Sequence, residues 1–338
     1  MSRPTDDKRM IPPFFRPNKK AFSLLEVLVS MFILTIIIWI SFTFIRAFSL
    51  GWSKARSSTE MFREARTAFE IVTRKLSQAT LNTYWDYQLD ERGKPSRYVR
   101  ASDLHFLCGG SLVPGSSGHA IFFQAPESFT METAHQGMNG LLNAVGFYVV
   151  YGRKDANAPS LITTRKGYKH QWRYLLEEVV QPTENLLIYN TKNTQLWYTM
   201  AQENGFVRPI AENIIVLVIW PRLSSTADPD GLTLAPNYQY DSRKEADKIP
   251  QPPQANQLPP TVQVTMLAVD EDSMIRLMGN QEPSTPPPLI HNLLEGRFTR
   301  ASMYHNDLQA IEDGLKKLKI PYHLFSAVVP LRGSKWSN

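Results

Sequence analysis

The chain has 338 residues, 43% of them hydrophobic, which excludes a mainly disordered protein and leaves room for one large domain or two modest ones. Its single cysteine, Cys108, excludes an intrachain disulfide and a cysteine-based zinc site, and reads as a small buried side chain. The net charge is +6, but residues 1–21 hold six basic against two acidic residues, or +4, leaving +2 for the remainder; a nucleic-acid partner, which needs a concentrated basic face, is disfavoured.

In chain order, the first element is an uncharged run from Val27 to Ile45, extended upstream by Phe22–Leu25. It is long enough to cross a bilayer as a helix and is apolar on every side. Ser30, Thr35, Ser41 and Thr43 interrupt it, but their hydroxyls can bond back to the helix backbone. Basic residues precede the run, so the positive-inside rule keeps the N-terminus cytoplasmic and exports the chain beyond the run. Arg46 comes directly after it, without the small-residue cleavage site of a secretory signal, so the segment is expected to stay attached. Glu26 lies inside the apolar block, where an unpaired carboxylate is costly and needs compensation.

The stretch Lys19-Lys20-Ala21-Phe22-Ser23-Leu24-Leu25-Glu26-Val27 resembles the processing motif of type IV prepilins and type II secretion pseudopilins. The resemblance implies a basic leader, recognised through Lys19, Lys20, Ser23 and Leu24, that a prepilin peptidase cuts between Ala21 and Phe22. It also implies N-methylation of Phe22 and an assembly role for Glu26, whose charge a neighbouring subunit's freed amine would neutralise. Ala21 stands where that family usually has Gly.

Beyond the apolar run, apolar or small residues recur every three or four positions at Phe48, Trp52, Ala55, Thr59, Phe62, Ala65, Phe69, Val72, Leu76 and Ala79. That one-sided stripe predicts a continuing helix, with Arg56, Arg63, Glu64, Glu70, Arg74 and Lys75 off the seam. Continuous from Phe22 to Leu81, it would be roughly 90 Å long. The expected division is a leader over 1–21, a transmembrane helix over 22–45, an amphipathic continuation over 46–82 and an exported head over 83–338.

In the head, apolar and alternating runs predict strands at Ala120–Gln124, Val145–Tyr151, Leu161–Thr164, Gln171–Leu175, Leu186–Tyr189, Ile214–Trp220, Thr261–Val269 and Tyr322–Val329. Asn306-Asp307 is placed to cap a helix reaching about Lys319, stopped by Pro321. The proline-rich stretches 250–260 and 283–288 read as exposed extended loops. The fold class is therefore α+β: a pilin-like long N-terminal helix and a strand-rich head. A looser similarity, carried by Leu258–Asp270 and Val329–Trp336, is to the pilin-like family C of the Verru_Chthon cassette.

The chemistry-bearing residues form no known catalytic pattern. The histidines at 105, 119, 135, 170, 291, 305 and 323 show no metal-binding helical spacing, and most of them read as surface or loop residues. Gly115-Ser116-Ser117-Gly118 lacks nucleophile-elbow spacing. Asp228-Pro229-Asp230-Gly231 and Asp270-Glu271-Asp272 lack the ligand series of a calcium loop, so neither metal nor cofactor is expected. Tyr84, Trp85 and Tyr87 offer an adhesive patch, but a Trp just after a helix is expected to pack on the head.

Together these features point to a non-enzymatic minor pilin or pseudopilin, single-pass in a bacterial inner membrane with a periplasmic head, later part of a filament at the cell surface. Its implied partners are the prepilin peptidase, other pilin-like subunits and an inner-membrane assembly platform. The alternatives are a membrane-anchored periplasmic enzyme or binding protein, and a minor pilin for DNA uptake.

Overall fold

The computed structural model describes residues 23–155, 161, 171–189, 197–199, 206–278 and 284–336. The chain divides into two compact units, Met1–Arg56 and Ser57–Asn338. Helix α1, Leu24–Ser77, begins in the first unit and ends in the second. In the first unit, Leu24–Arg46 has the length and composition to cross a membrane, and none of it is buried. Ser30, Thr35 and Thr43 donate their hydroxyls to the carbonyls of Glu26, Met31 and Ile40, so this stretch carries no unpaired polar side chain at those positions.

In the second unit the stripe expected on the helix is present from Phe62 onward. Ala65, Ala68, Val72, Leu76 and Ala79 are buried in the core, with Phe62 and Phe69 packed at its margin. Small residues at two of the four buried positions within the helix, Ala65 and Ala68, let it approach the sheets closely.

Eleven strands are seen among the described residues. β1 (Tyr84–Leu89) and β2 (Pro95–Ala101) form a separate antiparallel hairpin. β3 (Leu107–Gly110), β4 (His119–Pro126), β5 (Leu142–Arg153), β6 (Trp172–Gln181), β7 (Val207–Glu212) and β9 (Tyr240–Asp241) form a six-stranded sheet in the order β7-β6-β5-β4-β3-β9. β8 (Ile214–Arg222), β10 (Thr261–Val269) and β11 (Tyr322–Pro330) form a second sheet in the order β11-β10-β8, antiparallel throughout. Shorter helices of the unit include α2 (Glu271–Met278), α3 (Pro288–Leu294) and α4 (Tyr304–Lys317). The arrangement is α+β.

Alternation along β4 explains its position at the centre of the larger sheet. Ile121, Phe123 and Ala125 face the core that receives α1, while Ala120 and Phe122 face a second cluster containing Val113, Ile188 and Trp197. Gly146 on β5 is opposite Phe122, and a Cβ there would collide with the Phe122 ring, so only glycine lets that ring lie flat across the strand.

Several expectations need correction. Leu186–Tyr189 is not a strand: Leu187–Tyr189 is a turn of 3-10 helix, opened by a hydrogen bond from the Leu187 N–H to Gln181 Oε1 and directing Ile188 into the second cluster. Of the expected strand Leu161–Thr164, residues 162–164 lie outside the described residues. The stretch 250–260 is not an exposed loop throughout, because Ala255, Asn256, Gln257 and Leu258 are buried and Tyr240 donates its hydroxyl to the Gln257 carbonyl. In the second proline-rich stretch Pro288 starts α3, where a missing N–H costs nothing. Helix α4 begins before Asp307, whose carboxylate instead accepts the Phe298 N–H at 2.9 Å and pairs with Arg297.

Candidate functional site

The N-terminal site is built by the start of α1. Ser23 precedes the first helical residue, and its Oγ accepts the Glu26 N–H at 3.2 Å, which is side-chain capping of the third helical position. The signal was present in the sequence as Ser-x-x-Glu, a capping-box spacing, and assigns Ser23 a structural role beside its place in the motif. The carboxylate of Glu26 belongs to the first turn, where backbone N–H groups favour negative charge. Leu24, Leu25, Val27, Leu28 and the large apolar side chains beyond them as far as Phe48 are exposed, so this helix carries apolar surface that no described residue of its own unit covers. Lys19, Lys20, Ala21 and Phe22 lie outside the described residues; of the sequence-predicted site, only Ser23, Leu24 and Glu26 are described.

In the second unit, Lys75 is buried rather than off the seam. Its Nζ lies 2.7 Å from Glu127 and 3.0 Å from Glu178, and Arg208 reaches the other oxygen of Glu178 at 2.6 Å. A cationic residue one position before Leu76 in the stripe could have been read as reaching over the sheet rather than into solvent.

The body carries polar side chains of its own. A cleft of about 1210 Å³ is lined by Asp86, Arg100, Asp103, Asp241, Arg243 and neighbouring side chains, of both signs. Behind it, Trp197 Nε1–H donates to His105 Nδ1 at 3.1 Å, and His105 Nε2 donates to Asp241 at 2.7 Å. Burial opposes ionisation of Asp241, but the His105 hydrogen bond and the Arg243 and Lys244 backbone N–H groups outweigh it and hold the carboxyl below its usual range. Both ring nitrogens of His105 are thus committed, which leaves it no capacity to activate a nucleophile.

His119 is likewise buried: Nδ1 accepts the Ile219 N–H at 3.0 Å and Nε2 donates to the Phe298 carbonyl at 2.9 Å. Burial lowers its pKa to about 4. Among the described residues these two are the buried exceptions to the expectation that most histidines lie on the surface or in loops. Cys108 is buried, as expected, and desolvation pushes its thiol well above the ordinary range, the opposite of an activated nucleophile.

Among the described residues no cluster of three or more His, Cys, Asp or Glu side chains is arranged to hold a metal. Asp228 closes a turn by accepting the Thr233 N–H, and Asp270 caps α2 by accepting the N–H and hydroxyl of Ser273. Trp85 does not pack on the head: it is 65% exposed, and β1 and β2 present it with Tyr87, Leu89 and Tyr98 to solvent.

Residues 16–42 match the family described as the prokaryotic N-terminal methylation motif. No curated protein and no solved structure matches the chain. The matched segment includes Glu26 and most of the exposed apolar helix, so the comparison and the geometry meet on the same residues. The chain thus carries a prokaryotic N-terminal methylation motif at the start of a long apolar helix that is followed by an α+β body.

Proposed function

We propose that the chain is a minor pilin or pseudopilin: a non-enzymatic subunit of a type IV pilus or type II secretion-like filament, assembled through its N-terminal helix. The observation that carries this reading is Glu26 in the first turn of an apolar helix whose large side chains are exposed on every side. Such a surface is stable in a bilayer or in a bundle of like helices, and only the bundle offers the carboxylate a partner.

Cleavage between Ala21 and Phe22 by a prepilin peptidase would free an amine at Phe22, which is then methylated. In a filament the amine of one subunit would reach Glu26 of the next, and the pairing would offset the desolvation of both charges. Before assembly, the basic leader keeps its side of the membrane cytoplasmic and the body lies in the periplasm. The leader is then residues 1–21, the spanning helix 22–45, its continuation 46–82 and the head 83–338.

Intact mass and N-terminal sequencing of the chain from the membrane fraction test this. A mature form beginning at N-methylphenylalanine 22 is expected. A chain retaining the leader throughout would leave only a tethered ectodomain.

A further inference from the structure

The chain cannot tie a surface element down with a disulfide, because its single cysteine, Cys108, is buried. The hairpin β1–β2 is an element in need of such a tie. Its base is fastened: the Tyr84 hydroxyl donates to Asp103 at 3.3 Å, and the Arg100 guanidinium donates to the Pro252 and Ala255 carbonyls at 3.0 and 3.2 Å. Further out, among the described residues, the hydrogen bonds of residues 87–98 stay within the hairpin. A two-stranded hairpin held only by its own ladder is marginal in water.

The side-chain rung of this outer part is Tyr87, which lies opposite Tyr98. Their hydroxyls are hydrogen-bonded at 2.8 Å, and their ring centroids are 4.6 Å apart with the planes inclined at 39°. Oxygens closer than the ring centres mean that the rings converge at their hydroxyl ends, which brings the ring carbons beside the hydroxyls towards one another. Both rings are open to solvent, at 51% and 62% exposure. Tyr151 and Tyr174, another close tyrosine pair, meet edge to face with Tyr174 buried, so neither geometry nor access is comparable there.

We propose that Tyr87 and Tyr98 form an oxidative cross-linking site, joined as dityrosine when hydrogen peroxide and a haem peroxidase oxidise the exposed phenols. Each phenol gives up one electron and its O–H proton, leaving a phenoxyl radical whose unpaired electron is shared with the ring carbons beside the oxygen. One such carbon from each ring forms the new C–C bond. The hydrogens on those two carbons then pass through water to the two oxygens as protons, which restores both aromatic rings and both hydroxyls. The net loss is two electrons and two protons, and these reduce one hydrogen peroxide to two waters. The hydrogen bond between the oxygens lets a hydrogen atom pass from one to the other, so a first radical on either ring stays with the pair. Contact within one chain gives each ring an effective concentration of the other far above that of a second chain in dilute solution. The product is a covalent rung that holds the outer hairpin closed.

The test treats the full chain with hydrogen peroxide and a haem peroxidase and digests it with trypsin, whose cuts after Arg92 and Arg97 separate the two tyrosines. The peptide carrying Tyr87 should stay joined to the one carrying Tyr98, lighter than their sum by two hydrogen atoms, with dityrosine fluorescence and without dimers of the chain. Tyr87→Phe and Tyr98→Phe keep the ring packing, and each should lower the fluorescence on the order of tenfold, because a second chain cannot match the lost effective concentration. Hydrogen exchange over residues 87–98 should slow once the rung is covalent. Absence of the joined peptide, dityrosine formed mainly between chains or at other tyrosines, undiminished fluorescence in either variant, or unchanged exchange in the cross-linked chain would each overturn the proposal.

Discussion

Lys75 Nζ lies 3.0 Å from Glu178, a carboxylate with no exposed surface, and this contact ties the last turns of α1 to the middle of β6. Glu127 at the end of β4 shares the same ammonium at 2.7 Å. The helix is thus held on the sheet by an oriented polar contact as well as by Val72 and Leu76, and the polar contact fixes its rotation, which apolar packing alone leaves looser.

Replacing Lys75 with Met keeps the stem's packing and removes the charge. Glu178 would keep Arg208 but lose its buried partner, and breaking such a pair costs about 3 kcal/mol. Lys75→Met should therefore lower the denaturation midpoint clearly, while Lys75→Met combined with Glu178→Gln should recover part of the loss. Equal destabilisation of the single and double variants would show that the pair contributes nothing specific.

His119 gives the fold a pH dependence whose sign is set by its burial. Its pKa in the folded chain is about 4, against an ordinary value of 6.5, because protonation would place a charge in the core and displace the Ile219 N–H. Above pH 6.5 neither state is protonated and His119 has no effect on the slope. As the pH falls from 6.5 towards 4 the unfolded chain takes up the proton first, and stability is lost by up to about 3 kcal/mol, after which the contribution is flat. His119→Gln should be less stable at neutral pH but should show a shallower loss between pH 6.5 and 4 in denaturant titrations. Parallel slopes for the two proteins would refute the assignment.

How much of this was legible in the sequence depends on the surface each element presents to its neighbours. The exposed apolar half of α1, the stripe from Phe62 to Ala79 and the strands β8, β10 and β11 were legible, because uninterrupted or strictly spaced apolar residues state their own period. The hairpin β1–β2 was not, since its residues are exposed on both faces and its turn is closed locally by Asp90 accepting the Arg92 and Lys94 N–H groups. Leu187–Tyr189 was misread because a four-residue apolar run fits a strand and a helical turn equally well. Lys75, His105 and His119 were misplaced for one reason: a polar residue type predicts exposure until its buried partners are known, and those partners are distant in sequence. At the N-terminal site, the motif placed Glu26 by spacing alone, and the structure adds the Ser23 cap.

Gly146 tests the packing of the central strands. Adding one methyl group there drives it into the Phe122 ring, between two strands that cannot separate without losing ladder bonds. Gly146→Ala should cost about 1–3 kcal/mol, the range for overpacking a filled core. Phe122→Leu in the same chain should relieve the collision and bring the double variant above the Gly146→Ala single variant in thermal midpoint. No recovery would mean that backbone conformation at 146, rather than the ring, requires glycine.

Glu26→Leu separates anchoring from assembly. Leucine completes the apolar surface of the N-terminal helix, so membrane retention should match or exceed that of the parent chain. The carboxylate's partner is expected only in the assembled filament, so the variant should be present in membranes, shortened at Phe22, and strongly depleted from filament fractions. Glu26→Gln keeps the length and hydrogen-bonding capacity of the side chain but cannot neutralise an ammonium, and it should fail at the same step. If both variants enter filaments at the parent level, Glu26 does not act by charge pairing. If Glu26→Gln alone assembles, a hydrogen bond accepted by the side-chain oxygen is enough for incorporation and neutralisation of the amine's charge is not required.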